Sequence, residues 1–276
     1  MDERELNSTI EELSKAAWNV VRALPDRPSI LGYSGGIDSG ILAALATQCE
    51  KNVSLLTRGR IGSSDVTSVQ KYYGTKSAPV VSVTDRSEIE RAANQVVEIT
   101  RVSSLSHFED CVAFWLIAEN AEKLRDNGYI ISANGPDELF CGYDRFRRLV
   151  DSEGYDSIEE EIRGALMSAE NLSSQVKKIM SHFGLGIEEP FLTYEFRQMA
   201  LQIPAKYKIL PDNDLLRKRI WRCFGRSIGL PDEIVLRPKK AMQYGMGIHG
   251  IVSNMLKRGS LELEIESKNE KTSPVF

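Results

Sequence analysis

The chain has 276 residues, 42% of them hydrophobic and 27% charged, with a net charge of −4 at pH 7, as is typical of a globular protein with one large α/β domain. The weak negative charge, the charged N-terminus and the lack of a long apolar run lead us to expect no nucleic-acid partner, no signal peptide and no membrane association. Four widely separated cysteines argue against a disulfide scaffold and a structural zinc site, so we expect reduced thiols in a cytoplasmic protein.

Helices and strands alternate through the first half of the chain. Apolar residues at helical spacing from Ile10 to Leu24 predict a first helix that ends at Pro25. Strands are predicted at 29–33, 53–57, 79–83 and 129–133, with helices after the first strand, from the turn at 62–65 to about residue 74, and across 108–121. We expect the helix across 108–121 to be strongly amphipathic and to stop at Asn127-Gly128. This alternation predicts an α/β fold, a parallel sheet with helices on both faces.

The second half of the chain is predicted to be helical. Helical patterns cover 156–170, 173–183, 193–202 and 213–228. We therefore predict an N-terminal helix within 1–26 and one domain over 27–258, with its sheet core at about 27–150 and its helical part at about 151–258. The polar tail over 259–276 has little periodicity and is expected to be frayed or disordered.

The most informative stretch is 34–40, which joins the first strand to its helix. The free N–H groups and the positive dipole end of that helix form a site for phosphate, and Gly35 and Gly36 let the backbone approach it closely. Asp38 would repel phosphate unless Mg²⁺ bridged the two. A plain strand-to-helix turn with an N-cap is the alternative; the flanking serines, including Ser39, favour a nucleotide site. The stretch lacks the Walker lysine and the dinucleotide fingerprint, and it resembles the PP-loop of ATP pyrophosphatases.

A second glycine turn with carboxylates follows the fourth strand, at 134–143. Ligands of parallel sheets sit at the carboxyl ends of strands, so Asp137 and Asp38 would converge on the same Mg²⁺–pyrophosphate group. An acidic first turn of a helix would explain Asp137 and Glu138 equally well if the turn stood alone. Because the first turn is present as well, we favour the functional interpretation.

Several segments together resemble the asparagine synthetase family. Residues 132–143, Ser-Ala-Asn-Gly-Pro-Asp-Glu-Leu-Phe-Cys-Gly-Tyr, are similar to that family's motif Ser-Gly-x-Gly-x-Asp-Glu-x-Phe-x-Gly-Tyr. Further similarity lies in the Gly-Ser-Ser-Asp turn at 62–65, in Pro-Phe-Leu at 190–192, and at 230–239 with the following Gly245-x-Gly247. The resemblance covers about 27–250 and implies an adenine nucleotide alpha-hydrolase-like fold.

This resemblance implies an ATP-dependent amide ligase. In the family, a carboxylate attacks the α-phosphate of ATP, giving an acyl-adenylate and pyrophosphate, and ammonia or an amine then displaces AMP. The implied cofactors are ATP and Mg²⁺. The implied partners are a small carboxylate substrate, with aspartate as the default, and ammonia, an amine or a separate glutaminase as nitrogen source; a homodimer is a candidate assembly.

The resemblance also assigns site residues by position. The implied ATP-binding residues are Tyr33, Ser34, Gly35, Gly36, Asp38, Ser39, Arg58, Ser132, Ala133 and Gly135, with the phosphates at 34–39 and the adenosine beside Tyr33, Arg58, Ser132 and Ala133. The implied metal ligands are Asp38 and Asp137. Lys239 matches a lysine near the pyrophosphate and the acyl group, and Lys218 a second lysine, both catalytic. From the residues alone, a solvated basic pair is the better explanation of Lys239 and Lys240.

The chain departs from the family pattern on the acceptor side. Asn134 replaces a glutamate, Gly186 and Glu188 replace a glutamate and an arginine, and Thr193 replaces an aspartate. Asparagine cannot act as a general base, and Glu188 removes a clamp for a carboxylate. The family's N-terminal glutaminase domain has a cysteine directly after the initiator Met, whereas position 2 here is Asp, so we expect no such domain and no glutamine hydrolysis by that route.

Three alternatives stay open. Nucleotide and NAD synthetases share the first turn and lack the pattern at 136–143. The tRNA-thiolating PP-loop enzymes usually carry paired cysteines and basic surfaces, which this chain lacks. An ATP- or AMP-binding regulatory or scaffold protein that has lost catalysis is the alternative from a different class, and release of pyrophosphate would distinguish it from a ligase.

Overall fold

A five-stranded parallel sheet organises the computed structural model, which describes residues 3–73, 79–102, 104–123, 128–211 and 214–263. The strand order is β3-β2-β1-β4-β5. The strands are β1 Ser29–Gly32, β2 Val53–Gly59, β3 Val80–Val83, β4 Tyr129–Ile131 and β5 Gly186–Glu188. The predicted parallel sheet with helices on both faces is confirmed.

Helices account for most of the rest of the described chain. They are α1 Glu3–Arg22, α2 Ile37–Gln48, α3 Ser64–Tyr73, α4 Arg86–Ile99, α5 Leu105–Lys123, α6 Pro136–Leu139, α7 Asp144–Glu153, α8 Ile158–His182, α9 Tyr194–Gln202, α10 Ala205–Lys208, α11 Arg219–Ser227, α12 Asp232–Val235, α13 Met242–Gly245 and α14 His249–Lys257, with a 3₁₀ turn at Pro190–Leu192. Within the described residues, none of these helices combines the length and the apolarity needed to cross a bilayer.

Successive residues along each central strand pack alternately into two hydrophobic cores, one on each face of the sheet. Leu31 and Ile131 pack with α1, α2 and α11, whereas Ile30 and Ile130 pack with α4, α5 and α14. This is the two-residue period of a strand buried on both sides. The arrangement leaves the carboxyl ends of β1, β2 and β4 together at one edge, which is where the site forms.

Several elements were not predicted from the sequence, among them α4, α7, α14 and β5. The start of α4 carries a full capping box, in which the Asp85 side chain accepts from the Glu88 N–H and the Glu88 side chain accepts from the Asp85 N–H. This Asp-x-x-Glu signal is local and could have located the helix. The strand β5 is three half-buried residues long and offers no periodicity; its pairing with β4 makes it part of the sheet.

Three helix predictions were wrong in extent or character. The helices expected at 156–170 and 173–183 form one continuous α8. The helix expected over 213–228 begins only at Arg219, because Arg217 and Lys218 have φ of 52° and 53°, in the left-handed region. The central part of α5, 111–118, is buried on every side rather than amphipathic, because it packs against β2, α4, α8 and α13. The expected helix stop at Asn127, and the tail from 264 onwards, lie outside the described residues.

Candidate active site

A cavity opens where the carboxyl ends of β1, β2 and β4 meet the segment 237–242. Most residues that the sequence assigned to the site line it together: Tyr33, Ser34, Gly36, Asp38, Ser39, Arg58, Ser132, Ala133, Asp137, Lys218 and Lys239. Gly35 and Gly135 lie in the same two turns, with φ of +70° and +114° that favour glycine. A Cβ on Gly135 would lie 2.7 Å from the Phe191 carbonyl oxygen. The structure therefore brings the predicted set to one place.

The turn after β1 presents a helix N-terminus to the cavity. The helix α2 begins at Ile37, and its N-cap is Gly36, which has no side chain to occupy the first-turn N–H groups. The Ser34 hydroxyl accepts from the Gly36 N–H at 3.2 Å and lies 3.2 Å from the Ser39 hydroxyl. These bonds hold the turn in shape, while the free N–H groups and the helix dipole favour an anion.

Arg237 ties this turn to the start of α3. Its guanidinium donates to the Ser34 carbonyl at 2.5 Å, to the Ser64 carbonyl at 3.2 Å and to Asp65 Oδ1 at 2.8 Å. Burial raises the pKa of Asp65, and the Arg237 charge opposes that rise. A Cβ on Gly245 would lie 2.3 Å from Asp65 Oδ2, so the late Gly-x-Gly segment needs its first glycine to close over this pair. The sequence analysis gave neither Arg237 nor Asp65 a role in the site.

Four charged groups alternate in sign at the base of the cavity. Lys218 Nζ lies 2.6 Å from Asp38 Oδ2 and 2.7 Å from Asp137 Oδ1, and Lys239 Nζ lies 2.5 Å from Asp137 Oδ2. The Trp221 indole N–H donates to Asp38 Oδ1 at 3.0 Å. The two predicted metal ligands and the two predicted catalytic lysines therefore form one cluster.

The electrostatics of the cluster keep Asp137 and Lys239 ionised. Burial raises the pKa of Asp137, but the Lys218 and Lys239 charges outweigh burial and hold that pKa below its usual range. Burial lowers the pKa of Lys239, but the negative charges of Asp137 and Asp38 raise it by more. The pKa therefore ends above its usual value, and Lys239 stays a cation. Just outside the cluster, burial and then the Asp137 charge raise the pKa of Glu138 to about 7, and Glu138 Oε1 accepts from the Tyr143 hydroxyl at 2.5 Å.

Backbone contacts fix the segment that carries Lys218. The Asp214 side chain accepts from the N–H groups of Leu216 and Arg217, at 3.2 and 2.9 Å, and so supports the left-handed backbone at 217 and 218. Gly142 makes room for the lysine, because a Cβ there would lie 2.3 Å from Lys218 Cε and 2.1 Å from Asp137 Oδ1. The Phe-x-Gly-Tyr pattern therefore requires glycine at position 142, because any larger side chain would clash with Lys218 and Asp137.

A buried guanidinium connects the segments of both lysines. Arg222, on α11, donates to the carbonyls of Leu216 at 2.7 Å and Arg217 at 2.8 Å, just before Lys218. The same side chain donates to the carbonyls of Val235 and Arg237, and the Arg237 contact, at 3.2 Å, lies two residues before Lys239. Arg222 is only 5% exposed. Arg222 lies more than 180 positions along the chain from the turn at 34–39, and sequence reasoning missed its role.

The other end of the cavity is more apolar. Leu56, Phe114, Ile117 and Met246 contribute to its wall, together with Arg58. The Arg58 guanidinium is buried and donates to the Ser82 hydroxyl at 2.6 Å. Such a wall suits a flat, largely apolar ring with a few polar edges.

Next to Asn134, which lines the cavity, lies the Glu189 carboxylate, which the sequence analysis did not single out. The Asn134 amide donates to Glu189 Oε1 at 3.1 Å, and the Ser173 hydroxyl donates to Glu189 Oε2. Glu188, which has a pKa raised by burial, is paired through its backbone with the end of β4. Thr193 caps α9 and donates to the Pro190 carbonyl at 2.9 Å. Of the four departures from the family pattern, Asn134 is the one that joins a hydrogen-bonded acidic group, with Glu189 and Ser173.

The donor set fits Mg²⁺ shared with a nucleotide better than a metal held by protein alone. Among the described residues, no group of three or more His, Cys, Asp or Glu side chains is placed to hold a metal ion. Mg²⁺ commonly uses one or two carboxylates and completes its shell with phosphate and water. Asp38 and Asp137 supply two, and the buried Asp137 Oδ1 accepts no hydrogen bond from the described residues, its contact being the ion pair with Lys218.

Comparison with known proteins gives one consistent result. The family model described as asparagine synthase matches residues 21–178 and 165–273. A putative glutamine-hydrolyzing asparagine synthetase 1 of Methanocaldococcus jannaschii is 28% identical over 94% of this chain and 53% of that protein. The glutamine-hydrolyzing asparagine synthetases of Mesocricetus auratus and Homo sapiens are each 25% identical over 82% of this chain and 41% of their own length. The chain thus spans about half or less of the curated relatives it matches.

Proposed function

The chain belongs to the asparagine synthase family, and from this premise we propose that it is an ATP-dependent amide ligase that releases AMP and pyrophosphate. It would adenylate a small carboxylate and transfer the acyl group to ammonia or an amine, with the nitrogen supplied free or by a separate glutaminase. The observation that carries the proposal is the cluster of Asp38, Lys218, Asp137 and Lys239 beside an uncapped helix N-terminus.

The proposed ATP site uses the whole cavity. The triphosphate would lie on the turn at 34–39, where free N–H groups and the α2 dipole stabilise negative charge. The adenosine would lie along the apolar wall near Tyr33 and Arg58, with the backbone of 132–133 at its edge. Asp38 and Asp137 would hold Mg²⁺, which when bound neutralises charge on the phosphates.

The chemistry would proceed in two displacements. A carboxylate oxygen attacks the α-phosphorus, and the bond to the bridging oxygen breaks, giving an acyl-adenylate and pyrophosphate. Nitrogen then attacks the acyl carbon, AMP leaves and the nitrogen loses a proton. The role of this chain is to position the reactants and to place Lys239 and Lys218 against the charge that develops on the departing phosphates.

The acceptor side supports a second candidate function. Glu188 stands where the resemblance places an arginine, and its neighbour Glu189 accepts a hydrogen bond from Asn134, so a carboxylate acceptor would meet like charge there. An ATP- or AMP-binding regulatory or scaffold protein without turnover is the function that this observation favours.

One experiment separates the two candidates. ATP affinity is measured by calorimetry, and pyrophosphate and AMP release is followed over a panel of small carboxylates, aspartate first, each with ammonium or a simple amine. The ligase proposal expects at least one acceptor that gives equal amounts of AMP and pyrophosphate, with the signal lost in Asp38→Ala. Tight ATP binding with no release over the whole panel would instead support the regulatory function.

A further inference from the structure

The position between the two acidic side chains of the site is taken by an ammonium group. Lys218 Nζ contacts Asp38 Oδ2 at 2.6 Å and Asp137 Oδ1 at 2.7 Å, and the lysine is fully buried. The same two carboxylates are the groups that the proposed function assigns to Mg²⁺. A buried carboxylate is strongly destabilising unless it is paired, so the lysine gives both of them a partner in the ligand-free protein.

An ammonium and a magnesium ion cannot occupy this position together. Mg²⁺ requires ligand oxygens at 2.0–2.1 Å in near-ideal octahedral geometry, which leaves no room for Nζ between the same oxygens. Two cations at such separation also repel each other strongly where water is scarce. Entry of a divalent cation between Asp38 and Asp137 therefore requires that Nζ of Lys218 move away.

We propose that Lys218 is an internal counter-ion which excludes divalent cations from the pair Asp38 and Asp137 until a nucleotide arrives. The inference rests on the proposed function, because it takes the triphosphate as the group that receives the displaced ammonium. Metal and nucleotide then bind as a pair: the metal replaces the lysine at the carboxylates, and the phosphates replace the carboxylates as partners of the lysine.

The bonds that hold the backbone before Lys218 are independent of the contacts made by its ammonium group. The Asp214 carboxylate and the Arg222 guanidinium hold the backbone at 216–218 through bonds that do not involve Nζ. The end of the lysine side chain passes over Gly142, where a Cβ would lie 2.3 Å from Cε. A lysine has four side-chain torsions, and the uncapped N-terminus of α2 directs a triphosphate to the same wall of the cavity.

The test uses Mn²⁺ as the probe, because its free aqueous ion is quantified by electron paramagnetic resonance. Wild-type protein is titrated with Mn²⁺ alone and with Mn²⁺ plus the non-cleavable analogue α,β-methylene-ATP. Because the analogue itself binds Mn²⁺, uptake in its presence is counted against the same mixture without protein. We expect uptake by the wild type only with the analogue. Lys218→Met, which leaves the two carboxylates without their bridging cation, is expected to bind Mn²⁺ alone at least tenfold more tightly than the wild type. Lys257→Met, at an exposed lysine in the last turn of α14 and outside the cavity lining, is the control and should behave as the wild type does.

Each outcome decides one of the two claims. Binding of Mn²⁺ alone by the wild type, or equal affinity of Lys218→Met and the wild type, would overturn the counter-ion role. Should Lys218→Met fail to fold by circular dichroism, the wild-type titration without nucleotide still decides the question. If the analogue brings no Mn²⁺ to the wild type while Lys218→Met binds Mn²⁺ alone, the proposed function fails and the counter-ion role stands.

Discussion

Removing the guanidinium of Arg222 should damage both the stability and the chemistry of the protein. The side chain is buried and donates to four backbone carbonyls, those of Leu216, Arg217, Val235 and Arg237. Hydrogen bonds from a charged donor contribute about 1.5–3 kcal/mol each, and a buried acceptor left without its donor costs about 1–3 kcal/mol. These contributions are partly offset by the lost hydration of the guanidinium. We therefore expect Arg222→Met to lower the free energy of unfolding by about 3–5 kcal/mol.

The effect on catalysis follows from the position of the four carbonyls in the chain. They lie in the segments that deliver Lys218 and Lys239, so their release shifts both ammonium groups. A displacement of about 1 Å at reacting groups costs roughly 100-fold in rate. Pyrophosphate release by Arg222→Met, measured at a temperature where the variant is folded, should fall about 100-fold. The KM for ATP should change only a few-fold, because Arg222 reaches the turn at 34–39 only indirectly, through Arg237.

Arg226→Met is the matched control for this prediction. Arg226 lies one turn further along α11 and makes an exposed ion pair with Asp232 at 3.1 Å, which contributes about 1 kcal/mol or less. Urea unfolding followed by circular dichroism gives the free energy of unfolding of each variant. Arg222→Lys keeps the charge but lacks the planar guanidinium, so its stability should lie between those of the wild type and Arg222→Met. If Arg222→Met and Arg226→Met unfold within about 1 kcal/mol of each other, the guanidinium does not hold the two segments together.

Three further substitutions test the rest of the site. Asp38→Ala should abolish pyrophosphate release and leave the circular dichroism spectrum unchanged, because this carboxylate lies in the cavity and not in either hydrophobic core; persisting turnover would refute its role. Lys239→Ala should keep calorimetric ATP affinity within a few-fold and lose about 10²–10³ in rate, whereas Lys240→Ala should do little, and the opposite ranking would show the wrong lysine was assigned. Gly142→Ala should strongly reduce turnover by pushing a Cβ to within 2.1 Å of Asp137 Oδ1, and a normal rate would contradict that geometry.

The sequence predicts the two glycine turns of the site well because their information is local. A buried strand, a glycine turn and a helix N-terminus follow one another within 29–40, and again within 129–139, so no distant contact is needed to place Asp38 and Asp137. The rule that parallel strands present their carboxyl ends at one edge then brings the two turns together. The structure agrees, since β1 and β4 are neighbours in the sheet.

Contacts between distant segments account for what the sequence could not predict. Trp221 and Asp38 lie 183 positions apart and Arg237 and Ser34 lie 203 apart, and no periodicity or spacing encodes such a pair. The helix expected over 213–228 starts late because side-chain bonds from Asp214 and Arg222 override the local helical pattern at 217 and 218. The helix α4, in contrast, had a local signal in its capping box that the pattern analysis passed over.

The charge cluster shows why motif residues alone misjudge the resting state of such a site. A motif assigns carboxylates to a metal and lysines to phosphates, which implies that each group is unpaired until its ligand binds. Here the two sets satisfy each other, because alternating charges at 2.5–2.7 Å need no external ion to stay buried. Ligand binding then becomes an exchange of partners rather than the filling of an empty charged pocket. An exchange costs less desolvation than a new burial of charge, and it requires metal, nucleotide and Lys218 to change partners together.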